Sequence, residues 1–107
     1  MSKIIAVEIV TIEPHPNAEN LQIVQVNTGE GEPLQIVCGA KNFKVGDKVP
    51  CALHGSKLPD GTKIKRGNLR GIKSNGMLCG AEEIGKVPTE DGLLILPPET
   101  EIGTEIH

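Results

Sequence analysis

The apolar residues of this chain fall in short runs that are broken by turn signals every few positions. From Lys3 to Glu13 the sequence is almost wholly β-branched (Ile4, Ile5, Val7, Ile9, Val10, Thr11, Ile12) and is closed by Pro14 and Pro16, which predicts a long first strand. After the turn His15-Pro16-Asn17-Ala18-Glu19-Asn20, Leu21 to Asn27 largely alternates apolar and polar residues, as a half-buried strand requires. A Gly- and Glu-rich turn over 28–33 follows, and the alternation resumes from Leu34 to Cys38, so these two strands form a hairpin. Lys48 to Leu53 predicts another strand, with Pro50 suggesting an edge or a bulge. Pro59-Asp60-Gly61 marks a turn, Met77-Leu78-Cys79 a short buried strand between Gly76 and Gly80, and Gly92 to Leu96 a last short strand. Ala81 to Ile84 is read as one helical turn stopped by Gly85.

Five or so strands with one short helical turn in 107 residues imply an all-β small barrel, one domain over residues 1–107. Periodicity leaves an OB-fold and an SH3-like barrel both open. Composition agrees: Gly 13 and Pro 8 make a turn-rich chain. Phe43 is the only aromatic residue, so the core must be built from Ile, Val and Leu, and recognition by stacking bases on aromatic rings is disfavoured.

Charge changes the picture more. The formal net charge of -3 conceals a window, Lys41 to Lys73, that holds nine Lys and Arg against Asp47 and Asp60, net +7, and leaves -10 on the rest. A charge run is often only a solvated face, but this concentration of one sign makes a polyanion partner the favoured reading. Lys41 and Lys44 open the window. Lys63, Lys65, Arg66, Arg70 and Lys73 follow the Pro-Asp-Gly turn and are expected on one hairpin arm and the connection after it, with Arg70 suited to a bidentate phosphate contact. Asn42, Ser74 and Asn75 add uncharged donors for phosphates, 2′-hydroxyls or base edges. With Phe43 as the only aromatic residue, shape and backbone recognition of a folded RNA fits better than a mode that reads sequence by stacking unpaired bases.

Little in the sequence suggests catalysis. His15 sits in a Pro-flanked turn, where bonding to the turn backbone is the expected role, while His54 has no neighbouring acid and His107 is terminal. Glu82-Glu83 and Glu90-Asp91 are adjacent pairs whose side chains diverge. Cys38, Cys51 and Cys79 have neither disulfide-framework nor zinc spacing and are expected as buried reduced thiols. No metal, cofactor, leader or membrane segment is called for, and the cytoplasm is the expected compartment.

Three blocks resemble a known family: His15 to Leu21; Gln35-Ile36-Val37-Cys38-Gly39-Ala40-Lys41-Asn42; and Leu69-Arg70-Gly71-Ile72-Lys73-Ser74-Asn75-Gly76-Met77-Leu78-Cys79. They are similar to the signatures of the tRNA-binding OB-fold domain of aminoacyl-tRNA synthetases and their accessory factors, in order and over nearly the whole chain. Within that family the wording of Glu32 to Ala40, Gly55 to Gly61 and Ile64 to Gly71 most resembles the domain near the N-terminus of the bacterial phenylalanyl-tRNA synthetase β subunit. Glu19 stands where the family commonly has Asp, and Asn20 where it has a basic residue.

The resemblance implies an OB-fold, a non-catalytic tRNA-binding role, and tRNA with synthetase subunits as partners. It also implies that Lys41, Asn42, Arg70, Ser74, Asn75 and Met77 flank the RNA-facing surface. By their residue types, Asn17 is expected to hold its turn, Met77 to fill the barrel, and Gly71 and Gly76 to serve backbone geometry. A free-standing homodimeric tRNA-binding protein, or a CsaA-like chaperone or docking module, is the alternative.

Overall fold

A computed structural model describes residues 4–29, 31–58, 61, 63–65, 67–69, 71–80 and 92–106. Among the described residues seven strands appear: β1 (Ile4–Pro14), β2 (Gln22–Asn27), β3 (Leu34–Cys38), β4 (Lys48–Leu53), β5 (Gly67–Leu69), β6 (Ile72–Ser74) and β7 (Gly76–Leu78). Five form one antiparallel sheet in the order β3-β2-β1-β4-β7, and β5 and β6 pair separately. No helix occurs among the described residues, and the helical turn expected over 81–84 lies outside them.

The barrel is made possible by the length of β1. Its first half pairs with β4 from Ile4↔Ala52 to Glu8↔Lys48, and its second half pairs with β2 from Glu8↔Asn27 to Pro14↔Gln22. The register shifts between Ile9 and Thr11, a bulge of the kind that bends a strand and increases its twist. At that point Ile9 N–H donates to Asp47 O (2.9 Å) and Gly46 N–H to Ile9 O (2.8 Å). One strand thus serves two neighbours and curls the sheet towards closure.

Alternation fills the interior. Ile5, Val7 and Ile9 of β1 meet Val24 and Val26 of β2, Ile36 of β3, Val49 and Cys51 of β4 and Leu78 of β7, with Phe43 and Leu93 buried among them. Burying a Val, Leu or Ile side chain is worth about 1.5–3 kcal/mol, so this stripe is the main source of stability. The opposite face of β1 is covered as well. Ile4 and Ala52 pack with Cys79 and with Leu58 and Ile64 from the segment after β4. That second layer explains why Ile4-Ile5-Ala6-Val7 is buried at every position and does not alternate.

Two expectations need correction. Pro50 is on neither an edge nor the observed bulge, because β4 lies between β1 and β7. Its ring sits where β7 ends: Cys79 N–H donates to Pro50 O (2.9 Å), no bond can return from the proline nitrogen, and Cys79 O accepts Leu94 N–H (3.2 Å) instead. Residues 92–96, expected as a strand, form no ladder: besides that bond they make a single bridge, in which Leu96 N–H donates to Lys48 O (2.8 Å). Further on, residues 103–106 lie along the edge of β1 that β2 leaves open. Ala6 N–H donates to Thr104 O (2.8 Å), Gly103 N–H to Ala6 O (2.8 Å) and Ile106 N–H to Ile4 O (2.7 Å).

The three cysteines are free and buried, as expected. The Cys51 thiol is pushed up from its ordinary 9.0 to about 12, first by burial and then by Cys79 beside it, against a lowering backbone bond at Met77. Because the folded state holds this proton more tightly than the unfolded chain, the stability it lends is full below about pH 9 and is lost as pH rises towards 12. Alkaline unfolding is therefore expected in that window, moved to higher pH by Cys51→Ala provided the small cavity is tolerated. Urea melts at pH 8, 10 and 11.5 of both proteins measure it; identical pH profiles would count against this account.

Candidate nucleic-acid interface

The first signature block is a turn built on a histidine. His15 is buried, its Nδ1 accepts Asn17 N–H (2.9 Å) and its own N–H donates to Leu21 O (3.1 Å), so the residue does bond to the turn backbone. Asn17 reaches the third block, since a Cβ on Gly71 would lie 3.9 Å from Asn17 Nδ2.

In the second block Asn42 behaves like a piece of strand edge. Its Nδ2 donates to Leu93 O (2.9 Å) and its Oδ1 accepts Leu93 N–H (2.9 Å). A side chain at Gly92 would overlap that amide, with Asn42 Cγ only 2.8 Å away, and Gly92 also has φ +96°. Asn42 therefore ties the connection after β3 to the segment before Ile95.

The third block closes the barrel. Ser74 is 6% exposed; its Oγ accepts Val37 N–H (3.0 Å) and donates to Gly76 O (3.2 Å). Asn75 donates to Gln35 O from both its backbone N–H (2.9 Å) and Nδ2 (3.2 Å). Gln35 Nε2 donates to Lys73 O (2.8 Å), and Gln35 Oε1 accepts from Gln25 Nε2 (3.1 Å). The seam between β3 and the β6–β7 turn is thus made largely by side chains. Ser74 has its hydroxyl committed inside the protein, and Met77, expected to fill the barrel, is instead half-buried against the second cluster on the opposite face of the sheet. Gln35 opens the second block but is not among the expected site residues, and its residue type alone does not set it apart from Gln22 or Gln25.

The basic residues separate into groups. Lys41 and Lys44 are exposed on the connection that precedes β4, where Lys44 N–H donates to Asp47 Oδ2 (3.0 Å). Lys57, Lys63 and Lys65 are exposed on the segment that follows β4, a six-residue strand roughly 17 Å long. Lys73 is exposed on β6, opposite exposed Asn68 of β5. Of the residues expected on one hairpin arm and the connection after it, Lys63 and Lys65 thus lie on the arm and Lys73 on the separate β5–β6 pair. Arg66 and Arg70 lie outside the described residues.

The segment after β4 is itself a small hairpin. Gly55 N–H donates to Ile64 O (2.7 Å), Ile64 N–H to Ser56 O (2.8 Å), and Lys57 and Lys63 form an antiparallel bridge. Ser56, Leu58 and Ile64 point inward and are buried, so the intervening lysines point out. Phe43, the only Phe, Tyr or Trp of the chain, is 8% exposed and inside the core, so this surface offers charge and hydrogen bonds without a Phe, Tyr or Trp platform for stacking. No group of three His, Cys, Asp or Glu suited to a metal occurs among the described residues.

Residues 4–105 match the family described as "Putative tRNA binding domain". The chain is 54% identical over 103 residues to the phenylalanine-tRNA ligase beta subunit of Anaeromyxobacter dehalogenans, covering 96% of this chain and 13% of that protein. It is 56% identical over 110 residues to the same subunit of Psychrobacter arcticus, covering 99% of this chain and 14% of the relative. It thus spans about one seventh of the length of these relatives. Among solved structures, the C-terminal domain of Plasmodium vivax p43 superposes with a TM-score of 0.73 at 27% identity, covering 98% of this chain and 59% of that one. A barrel whose three signature blocks form its turn, its clamp and its seam, and whose sequence matches from Ile4 to Glu105, belongs to the tRNA-binding domain family.

Proposed function

We propose that this chain binds tRNA without catalysing a reaction on it, as the tRNA-binding module of a phenylalanyl-tRNA synthetase β subunit in the cytoplasm. The observation that carries the reading is the combination of family membership with lysines exposed around a barrel whose one Phe, Tyr or Trp side chain, Phe43, is buried. Such a surface binds through phosphates and shape. The relatives named phenylalanine-tRNA ligase beta subunit support the assignment to that enzyme, with the synthetase's other regions as protein partners. Three free buried thiols suit a reducing compartment. Among the described residues, no helix is long and apolar enough to cross a membrane.

Titrating the 107-residue chain with tRNA tests the proposal. Affinity is expected to fall steeply between about 50 and 200 mM salt, with a log-log slope of several units for roughly five to seven phosphates. A flat dependence, or no binding at the low end, rejects it. One observation favours a second, docking role. Val45 is 58% exposed and Val10 38%, on two segments joined by the bond from Gly46 N–H to Ile9 O. Capture of synthetase subunits by the chain in the absence of RNA, lost in Val45→Ser, is the expected mark of that role.

A further inference from the structure

The basic window looks continuous in sequence, but β4 divides it, and the two groups are not equivalent. On the side before β4, Asn42 is spent on Leu93, and Asp47 brings a carboxylate to the backbone of Lys44. On the side after β4, three ammonium groups stand on one outward face. Lys57 and Lys63 are bridge partners, so their Cβ atoms are about 5 Å apart on the same side of the hairpin. Lys65 is two residues beyond Lys63 and on the same side of the strand, about 7 Å on.

The hairpin is held in advance of any ligand. Leu58 (5% exposed) and Ile64 (7%) are anchored against Ile4, Ala52 and Cys79, and four backbone bonds fix its course: Gly55 and Ile64 as above, Ser56 N–H to Leu53 O (3.0 Å) and Gly61 N–H to Leu58 O (2.9 Å). Anchoring the base of the lysine stems reduces the ordering that binding must impose.

We propose that the Lys57–Lys63–Lys65 face of this hairpin is the principal phosphate-binding site for the RNA backbone, with Lys57 a contact residue in its own right and the Lys41–Lys44 side secondary. This rests on the tRNA-binding reading above and narrows it to one end of β4. Recognition here is by point charges on flexible stems. It follows a phosphodiester backbone without reading bases.

The test compares three 107-residue chains binding unfractionated tRNA across a salt series: the parent, the triple variant K57Q/K63Q/K65Q and the double variant K41Q/K44Q. The triple variant is expected to lose about tenfold or more in affinity near 0.1 M salt and to reduce the log-log slope by about 2 to 3 units. The double variant should change the slope by about 1 or less. All five lysines are exposed, so the melting temperatures should match, and K57R/K63R/K65R should restore binding. If the parent binds steeply while the triple variant matches it, or the double variant loses more, the assignment to this hairpin is overturned and tRNA binding stands. If the parent does not bind, the functional reading fails and this proposal with it.

Discussion

Replacing Gly76 by alanine is expected to cost about 2 to 3 kcal/mol of folding stability, with a melting temperature lowered on the order of 10 °C. The reason is the closeness of β4 and β7. A Cβ at Gly76 would stand 2.8 Å from Ala52 O and 3.7 Å from Cys51 Sγ, and the first of these is a backbone atom that cannot swing aside. Relief requires β7 to move off β4. Because Ser74 and Asn75 are bonded to β3 from the same short stretch, that movement pulls on the far seam of the barrel too. Gly67→Ala is the matched control: no atom lies within 4 Å of its Cβ position and its φ is not in the left-handed region, so a change within about 0.5 kcal/mol is expected. Urea denaturation of the two variants makes the comparison. Equal stabilities would show that the β4–β7 approach is not tight.

Ser74→Ala is expected to cost about 1 to 3 kcal/mol, the penalty for leaving a buried N–H without an acceptor. The orphan would be Val37 N–H, since Ser74 Oγ is its partner and Val37 is 7% exposed. The loss falls on a seam with few ladder bonds, so amide exchange at Val37 should quicken more than at Val24 in the core of the sheet. Asn75→Ala acts on the neighbouring bond to Gln35, and the double variant should depart from additivity because both residues hold the same edge. A Ser74→Ala chain with unchanged stability and unchanged Val37 exchange would mean that the hydroxyl is dispensable for closure.

Local pattern made much of this fold readable. The β-branched run at the start, the alternation of 21–27 and 34–38, and the Gly-flanked Met77-Leu78 all became strands because each signal lies within the element that it specifies. What was not readable depends on partners distant in sequence. Pro50 suggested an edge since a proline lacks a donor, yet the structure places it inside a sheet at the one bond that the neighbouring strand does not need. The Asn42 clamp spans 51 residues, and only the coordinates join Asn42 to Leu93. The short β5–β6 hairpin has too few apolar residues to show a period.

The candidate site divides in the same way. The lysines were visible as a charge excess, but their separation by β4 was not, since a window in sequence has no geometry. Lys57 is instructive. It stands three residues before Asp60, and Lys63 three after, so the Pro-Asp-Gly turn already implied that the two would face each other across a hairpin. Counting outward from the turn identifies the pair; reading onward from it finds only the second arm. Ser74 and Asn75 were legible as polar signature residues, but their burial at the seam was not.

The bonding of residues 103–106 to the start of β1 has a consequence for how such a barrel can be carried. Ile106 N–H meets Ile4 O at 2.7 Å, so the entry to the first strand and the exit from the last described segment are side by side. A host polypeptide needs only two adjacent attachment points to accept the unit between elements of its own, with little distortion of either partner. The same adjacency makes the barrel a natural cassette: it can be grafted into a surface loop, or its two ends joined and a new opening cut at an exposed turn such as the one at Gly31, with the seam and the lysine hairpin left intact.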